Sequence, residues 1–313
     1  MSTELWLLIV GAVVAGFVQG LSGFAFGMVA MSFWVWGLEP RVAAVLTVFG
    51  ALTGQIAAAF TLRRGPRWSV FWPFVCGGLL GVPLGVLLLP HLNALLFKFL
   101  FGLLLVLWCP AMLFASALPH IGGGCVAIRL KDGLAGAAGG VLGGFGGFTG
   151  VVPTLWCTLR GFDKELQRSI VQNFSLAALT LTMVGYLIAG TVTPDLWPKM
   201  AIVAPAMLLP SLLGARIYVG LSEAAFRRTV LLLLTGAYVA YYGYYAYRVN
   251  RGDNVSAGPV DIVTRWSSNA QSWVTGIGTG WLITALAAAA VTVVSLVFLR
   301  GARPRTARSD TFS

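Results

Sequence analysis

The chain has 313 residues, of which 58% are hydrophobic and only 10% charged, with a formal net charge of +11 and a mean hydropathy of +0.86. A soluble globular domain carries roughly 25% charged residues, so a chain this poor in charge cannot cover its surface against water and must sit largely in hydrocarbon. Nucleic acid is excluded as a partner by the same count, because the basic residues gather at the ends of apolar stretches and in the tail, where they orient a chain in a lipid bilayer.

The opening Met1-Ser2-Thr3-Glu4 has no basic region, so the first apolar stretch reads as a membrane anchor and not as a cleaved signal peptide. Apolar segments follow at about 5–38, 42–62, 69–90, 95–118, 132–160, 169–190, 200–221, 229–247 and 281–299. Backbone polar groups in lipid must pair internally, which leaves helices or a closed barrel. Runs such as Thr229–Tyr247 and Ile283–Leu299 lack the in–out alternation of a barrel strand, so the expected class is all-α: a polytopic transmembrane helical bundle. Segments 5–38 and 132–160 are too long for one simple crossing, and each holds a glycine cluster, Gly20-Leu21-Ser22-Gly23 or Gly143-Gly144-Phe145-Gly146-Gly147. Both are predicted to be helices broken at glycine.

An internal repeat is legible. A shift of 124 places Gly16, Gly20, Gly23, Phe24 and Gly37 on Gly140, Gly144, Gly147, Phe148 and Gly161, and Glu39 on Asp163. A shift of 129 pairs Gly85 with Gly214, Phe97 with Phe226 and Lys98 with Arg227. The expected organisation is a first repeat over 1–131, a second over 132–248, and an extension over 249–313 with a polar loop, one more span and a basic tail.

Charge tests the topology. With both long segments crossing once, the loop and tail Lys/Arg divide 9 against 11; with each entering and returning to its own side they divide 6 against 14. The heavier side then holds Arg63, Arg64, Arg67, Arg129, Lys131, Arg160, Lys164, Arg168, Arg227, Arg228 and the tail arginines. Positive charge marks the cytoplasmic side, so the second arrangement is expected, in the cell membrane with the C-terminus in the cytoplasm. It gives each repeat an odd number of crossings, and hence two inverted halves, a common transporter construction.

Polar residues inside the spans are the candidates for chemistry. A glycine break beside Ser22 or Thr149 would free backbone N–H groups at the start of a half-helix, which suits an anion. The candidate substrate-binding residues are Gln19, Ser22, Gly23, Gly146, Gly147, Thr149, Gln172, Asn173 and Ser175. Spacings such as Gly16xxxGly20, Gly77xxxGly81 and Gly140xxxGly144 equally serve close helix packing, whereas the Gly143–Gly147 cluster exceeds what a contact face needs. Arg216 reads as a snorkelling side chain, His91 and His120 as interfacial, and Glu39, Asp163 and Glu165 as solvated or capping.

Enzyme chemistry lacks its parts. Two histidines, few acids and cysteines scattered at 76, 109, 125 and 157 supply neither a metal site nor a redox pair, and no cofactor is expected. The glycine runs carry no GxxxxGK[ST], so they do not read as a nucleotide site.

The run Ala15-Gly16-Phe17-Val18-Gln19-Gly20-Leu21-Ser22-Gly23-Phe24-Ala25-Phe26-Gly27, with its second copy Gly139–Pro153, resembles the sulfite exporter TauE/SafE family of the toluene-sulfonate uptake permease superfamily. Pro153 after the second glycine stretch, and Gly81 and Gly85, fit the family pattern over about residues 5–247. The first copy departs from it, with Ala25-Phe26-Gly27 and Val29 in place of a glycine triplet and proline. The resemblance implies a transporter whose partner is a small anionic substrate, sulfite or a sulfonate such as sulfoacetate. Export by alternating access is the leading reading. An anion channel, an uptake permease for another organic anion and a non-transporting assembly factor stay open, as does a homo-oligomer.

Overall fold

The computed structural model describes residues 3–62, 68–92, 94–115 and 125–218. The spans expected at 229–247 and 281–299, the extension and tail, His120 and the matches at Phe226 and Arg227 lie outside the described residues. Those residues are all-helical: α1 (Thr3–Ser22), α2 (Phe26–Gly37), α3 (Pro40–Leu62), α4 (Trp68–Leu88), α5 (Ala94–Ala115), α6 (Cys125–Gly146), α7 (Val151–Leu159), α8 (Lys164–Ile188) and α9 (Leu196–Tyr218). Five stretches among them are long and apolar enough to cross a bilayer: Glu4–Ser22, Pro40–Phe60, Trp68–His91, Lys164–Ile188 and Leu196–Arg216.

The two long segments double back. Near its start α1 meets the end of α2: Trp34 Nε1 donates to the Leu7 carbonyl (3.2 Å), and Gly37 lies against the Leu7 side chain. In the second segment Asp132 of α6 takes Arg160 (2.7 Å) and Trp156 Nε1 (2.7 Å), and Gly139 lies against Pro153. Each pair is thus an antiparallel hairpin. The reversals fall at Ser22–Phe26 and Gly146–Val151, and each contains a glycine in the left-handed region, Gly23 (φ 83°) and Gly147 (φ 79°). The C-terminal cap follows from that conformation: Gly23 N–H returns to the Gln19 carbonyl (2.6 Å), while Gly147 and Phe148 return to Gly143 (2.8 Å) and Leu142 (3.3 Å).

Small residues let these hairpins seat deeply. Gly77, Gly81 and Gly85 of α4 face the backbone of α6 from Gly133 to Gly144, and Gly136, Gly140 and Gly144 answer from the other side. Gly16 and Gly20 of α1 meet Met207, Ser211 and Ala215 of α9 in the same manner, and Gly214 faces Phe17 and Leu21. Small residues every four positions bring helix backbones into direct contact. Residue numbers rise together across both contacts, so α4 runs parallel to α6 and α1 parallel to α9. Lys199 and Glu4, paired at 2.6 Å near the starts of α9 and α1, agree.

One sequence expectation is corrected here. Gly143, Gly144 and Gly146 lie within α6 and not in a broken stretch. The low helix propensity of glycine, about 1 kcal/mol per residue against alanine, is offset by the backbone contact of Gly144 with Val82, Gly85 and Val86 and by burial of Gly143 against Thr149. The reversal belongs to Gly147 alone.

The outer surface is apolar: Phe60, Leu80, Leu84, Val126, Ile188 and Leu209 are all at least 60% exposed. A monomeric soluble protein rarely carries so broad an apolar face, and the exposed Trp6, Trp68, Trp72 and Trp197 near helix starts suit a membrane–water interface. Arg216 is exposed in the last turn of α9, His91 is exposed, and Asp163 caps α8 by accepting Leu166 N–H (2.9 Å).

Gly81→Ala is expected to lower the stability of the purified protein by about 1–3 kcal/mol, since its methyl would collide with the Ala137 carbonyl. Gly102→Ala in α5, where nothing lies within 4 Å, is expected to be neutral or slightly stabilising. Thermal unfolding in detergent compares the two. Asp132→Asn leaves the Arg160 guanidinium without its carboxylate, and the same assay is expected to register a loss on the order of 3 kcal/mol.

Candidate functional site

A turn inside an apolar body releases backbone groups that must find partners. At the α1–α2 turn, Ser22 Oγ accepts the N–H of Phe24 (3.2 Å) and Ala25 (2.9 Å). Gln55 of α3 donates its amide to the Gly23 carbonyl, and Arg168 of α8 donates to the Gly20 carbonyl (3.3 Å). Gln19 Nε2 donates to the Ala51 carbonyl of α3 (3.0 Å). Against this tip lies a cavity of about 20 Å³, room for one or two waters, bounded by α1, α3, α8 and α9. Its polar lining is Gln19, Gln55, Arg168, Gln172 and Ser211, and none of the described residues that border it is acidic.

Arg168 is 8% exposed and, among the described residues that line the cavity, is the only one with a formal charge. Gln19, Gln55 and Gln172 also line the cavity, and both Gln19 Oε1 and Gln172 Nε2 make no hydrogen bond although buried. A buried polar atom without a partner is costly, and here two belong to residues that line one cavity. The arrangement can hold a small oxyanion by charge and amide donors.

The α6–α7 turn is differently furnished. Thr149 Oγ1 donates to Ser175 Oγ (2.9 Å), Tyr186 Oη donates to the Gly144 carbonyl (2.8 Å), and Trp108 Nε1 donates to the Val151 carbonyl (3.1 Å). Gly147 lies against Thr47 and Val48 of α3, and Gly146 against Phe148 and Met31. The stacked rings Phe97–Phe145 (4.8 Å) and Phe101–Phe148 (5.4 Å) fill the surroundings. The two turns touch: Gly27 abuts the Gly147 carbonyl and Gly150 abuts Phe24.

The candidate residues therefore divide. Gln19, Gly23 and Gln172 meet at the cavity. Ser22 caps its own turn, so the N–H groups expected to face a solute at the start of α2 are partly occupied by it. Gly146, Gly147, Thr149 and Ser175 gather at the second turn and do not line the cavity. Asn173 donates to the Ser169 carbonyl (2.8 Å), one turn back on its own helix. Gln55 and Arg168 were missed. Arg168 reads as a loop charge because it follows Arg160 and Lys164, yet it sits inside α8, buried under the first turn.

Among the described residues no group of His, Cys, Asp and Glu could hold a metal ion, and Cys76 and Cys157 are free. No significant match is found among curated proteins or among solved structures. The profile of the sulfite exporter TauE/SafE family, by contrast, matches residues 8–241, a range that contains both turns and every lining residue of the cavity. The chain belongs to the sulfite exporter TauE/SafE family of membrane transporters.

Proposed function

We propose that the protein exports small sulfur-containing anions, sulfite or organosulfonates, across the cell membrane by alternating access, with the solute held at the α1–α2 turn. The observation that carries this reading is the acid-free cavity with Arg168 and three glutamine amides at a helix reversal. A membrane interior penalises charge heavily, so an enclosed guanidinium there is ordinarily functional.

The reading takes the chain as two inverted repeats, 1–131 and 132–248, with re-entrant hairpins and a 249–313 extension. Reciprocal contacts support it. Gly20 meets Ser211 and Ala215; adding 124 to the first and subtracting 129 from the others gives Gly144 against Val82 and Val86, which is the contact found in the other half. Gly16 against Met207 likewise becomes Gly140 against Gly78. A contact set that maps onto itself under both sequence shifts is what a two-fold relation produces. Antiparallel hairpins also return the chain to its own side, which is the topology that the distribution of positive charge favours.

The cavity lies toward the end where α3 finishes and α8 begins, the end that carries Arg160 and Lys164. By the positive-inside rule this is the cytoplasmic end, as is the C-terminus, so the site would load from within. Moving one negative charge outward gains about 2.3 kcal/mol per 100 mV of inside-negative potential, which suffices for export without a coupling ion.

Counterflow of labelled sulfite in proteoliposomes tests the carrier. Saturating exchange that accelerates with preloaded sulfite is expected; flux linear in concentration would favour a channel, and no flux would favour an assembly factor. Arg168→Gln is expected to reduce exchange at least tenfold. For topology, Glu39→Cys and Lys164→Cys in a cysteine-free background should be labelled by an impermeant maleimide from opposite faces, and labelling from one face would contradict the hairpin arrangement.

A further inference from the structure

Side-chain bonds and backbone contacts divide the helices into two sets that do not coincide with the two sequence repeats. In the first set Gln19 of α1 donates to Ala51 of α3 (3.0 Å), Gln55 of α3 donates to the Gly23 carbonyl, and Lys199 of α9 pairs with Glu4 of α1 (2.6 Å). Gly16 and Gly20 seat α1 directly on the α9 backbone. In the second set Trp108 of α5 holds Val151, Thr149 holds Ser175 of α8, and Tyr186 of α8 holds Gly144 of α6. The glycine row of α4 lies on the α6 backbone, and Gly78 of α4 lies on Phe174 of α8. Across the seam between the sets the chemistry changes. Gly27 abuts the Gly147 carbonyl, Gly150 abuts Phe24, and Gly147 lies on Thr47 and Val48. Gln172 Nε2 beside Gly23 and Thr47 Oγ1 beside Gly147 are enclosed there without partners. Bonds cross toward the ends of the seam: Arg168, near the start of α8, donates to the Gly20 carbonyl (3.3 Å), and Arg41, at the start of α3, donates to the Pro90 carbonyl (3.1 Å).

We infer that these sets are the two rigid bodies of the transport cycle: α1, α2, α3 and α9 rock against α4 to α8, and the bonds of Arg168 and Arg41 are latches at opposite ends of the seam. The inference deepens the transport reading and rests on it. α4 belongs to the first repeat and α9 to the second, yet each is packed on the hairpin of the other repeat. Each body is therefore built from both repeats. Motion of repeat against repeat would tear contacts in which helix backbones touch over about three turns. Motion along the seam separates glycine backbone from side chains and leaves the bonded network of each body intact. It also admits water to Gln172 Nε2 and Thr47 Oγ1, so the open form recovers hydrogen bonds that the closed form forgoes. α3 begins where α8 finishes, so releasing Arg168 parts one end of the seam and releasing Arg41 parts the other. Latches at two ends of a rocking interface are the two-state element that alternating access requires.

The test uses the full-length chain, with its own cysteines replaced by alanine, in proteoliposomes with labelled sulfite as the probe. Phe24→Cys with Gly150→Cys sets one thiol on each side of the seam, at positions whose Cβ atoms would stand 2.5 Å apart, so a slight separation gives disulfide spacing. Oxidation is expected to lower exchange at least tenfold, and reduction to restore it. Gly11→Cys with Phe33→Cys, whose Cβ atoms would stand 3.2 Å apart, forms a disulfide inside the first body. Glu4→Cys with Lys199→Cys, bridged by a short bis-methanethiosulfonate, joins α1 to α9 inside the same body but across the repeats. Both bridges are expected to keep exchange within twofold of the unbridged forms. Loss of exchange on closing either of them would overturn the inference even if the Phe24 and Gly150 pair does not fold. So would exchange that persists in the oxidised Phe24 and Gly150 form. Exchange by the unmodified chain with any of those results leaves the transport reading standing, whereas absence of exchange overturns both.

Discussion

The constraint on which the structure depends is the satisfaction of backbone groups where a chain reverses direction inside an apolar body. Neither water nor a neighbouring strand is at hand there, so side chains must do the pairing. At the first turn the partners are long and polar: Gln55 on the Gly23 carbonyl, Arg168 on the Gly20 carbonyl, Gln19 on α3. These residues then form the walls of the cavity. A solute site so built needs few dedicated residues, since the groups that make the turn tolerable also present charge and hydrogen-bonding capacity toward the space beside it. The same economy explains why the cavity is polar at its turn side and small-residue elsewhere, where Gly54, Ala57, Ala58 and Ala215 border it.

Close packing sets the depth to which the turns reach. Glycine rows on α4 and α6 allow the second hairpin to lie backbone to backbone against α4, and Gly16, Gly20 and Gly214 do the same for the first hairpin against α9. Each contact costs helix propensity and recovers it through dispersion between close backbones, the main attraction between helices in lipid. The Asp132–Arg160–Trp156 cluster closes the base of the second hairpin. Leu8, which corresponds to Asp132 under the shift of 124, is apolar, so the first hairpin lacks an equivalent clasp. Of the two, the first is the less tightly tied at its base, and it is the one that carries the cavity.

Much of this was legible in the sequence, for identifiable reasons. Hydropathy located α3, α4, α5, α8 and α9 within a few residues, because length and apolarity alone determine a span. The hairpin turns were legible through Gly20–Gly23 and Gly143–Gly147, although only Gly23 and Gly147 take left-handed backbone there. Gln19 and Gln172 stood out because buried amides are expensive. Arg168 and Gln55 did not, because their partners lie 148 and 32 residues away in the chain. Sequence proximity also misled at Asn173: neighbouring helical positions point about 100° apart, so Gln172 facing the cavity turns Asn173 elsewhere, onto the Ser169 carbonyl.

The two turns, related by one sequence shift, have been given opposite chemistry. Under that shift and its companion, Gln19, Gln55, Arg168, Gln172 and Ser211 correspond to Gly143, Leu179, Ala44, Val48 and Val82. Every polar member of the first set has an apolar or glycine counterpart. The carbonyls of Gly20 and Gly144 are equivalent, yet one accepts from a guanidinium and the other from the phenol of Tyr186. A polar cavity beside one turn, and stacked rings around the other turn that touches it, is an asymmetry that the sequence shift does not impose. The sequence shift that relates the two turns therefore carries over the hairpin geometry and not the polar side chains.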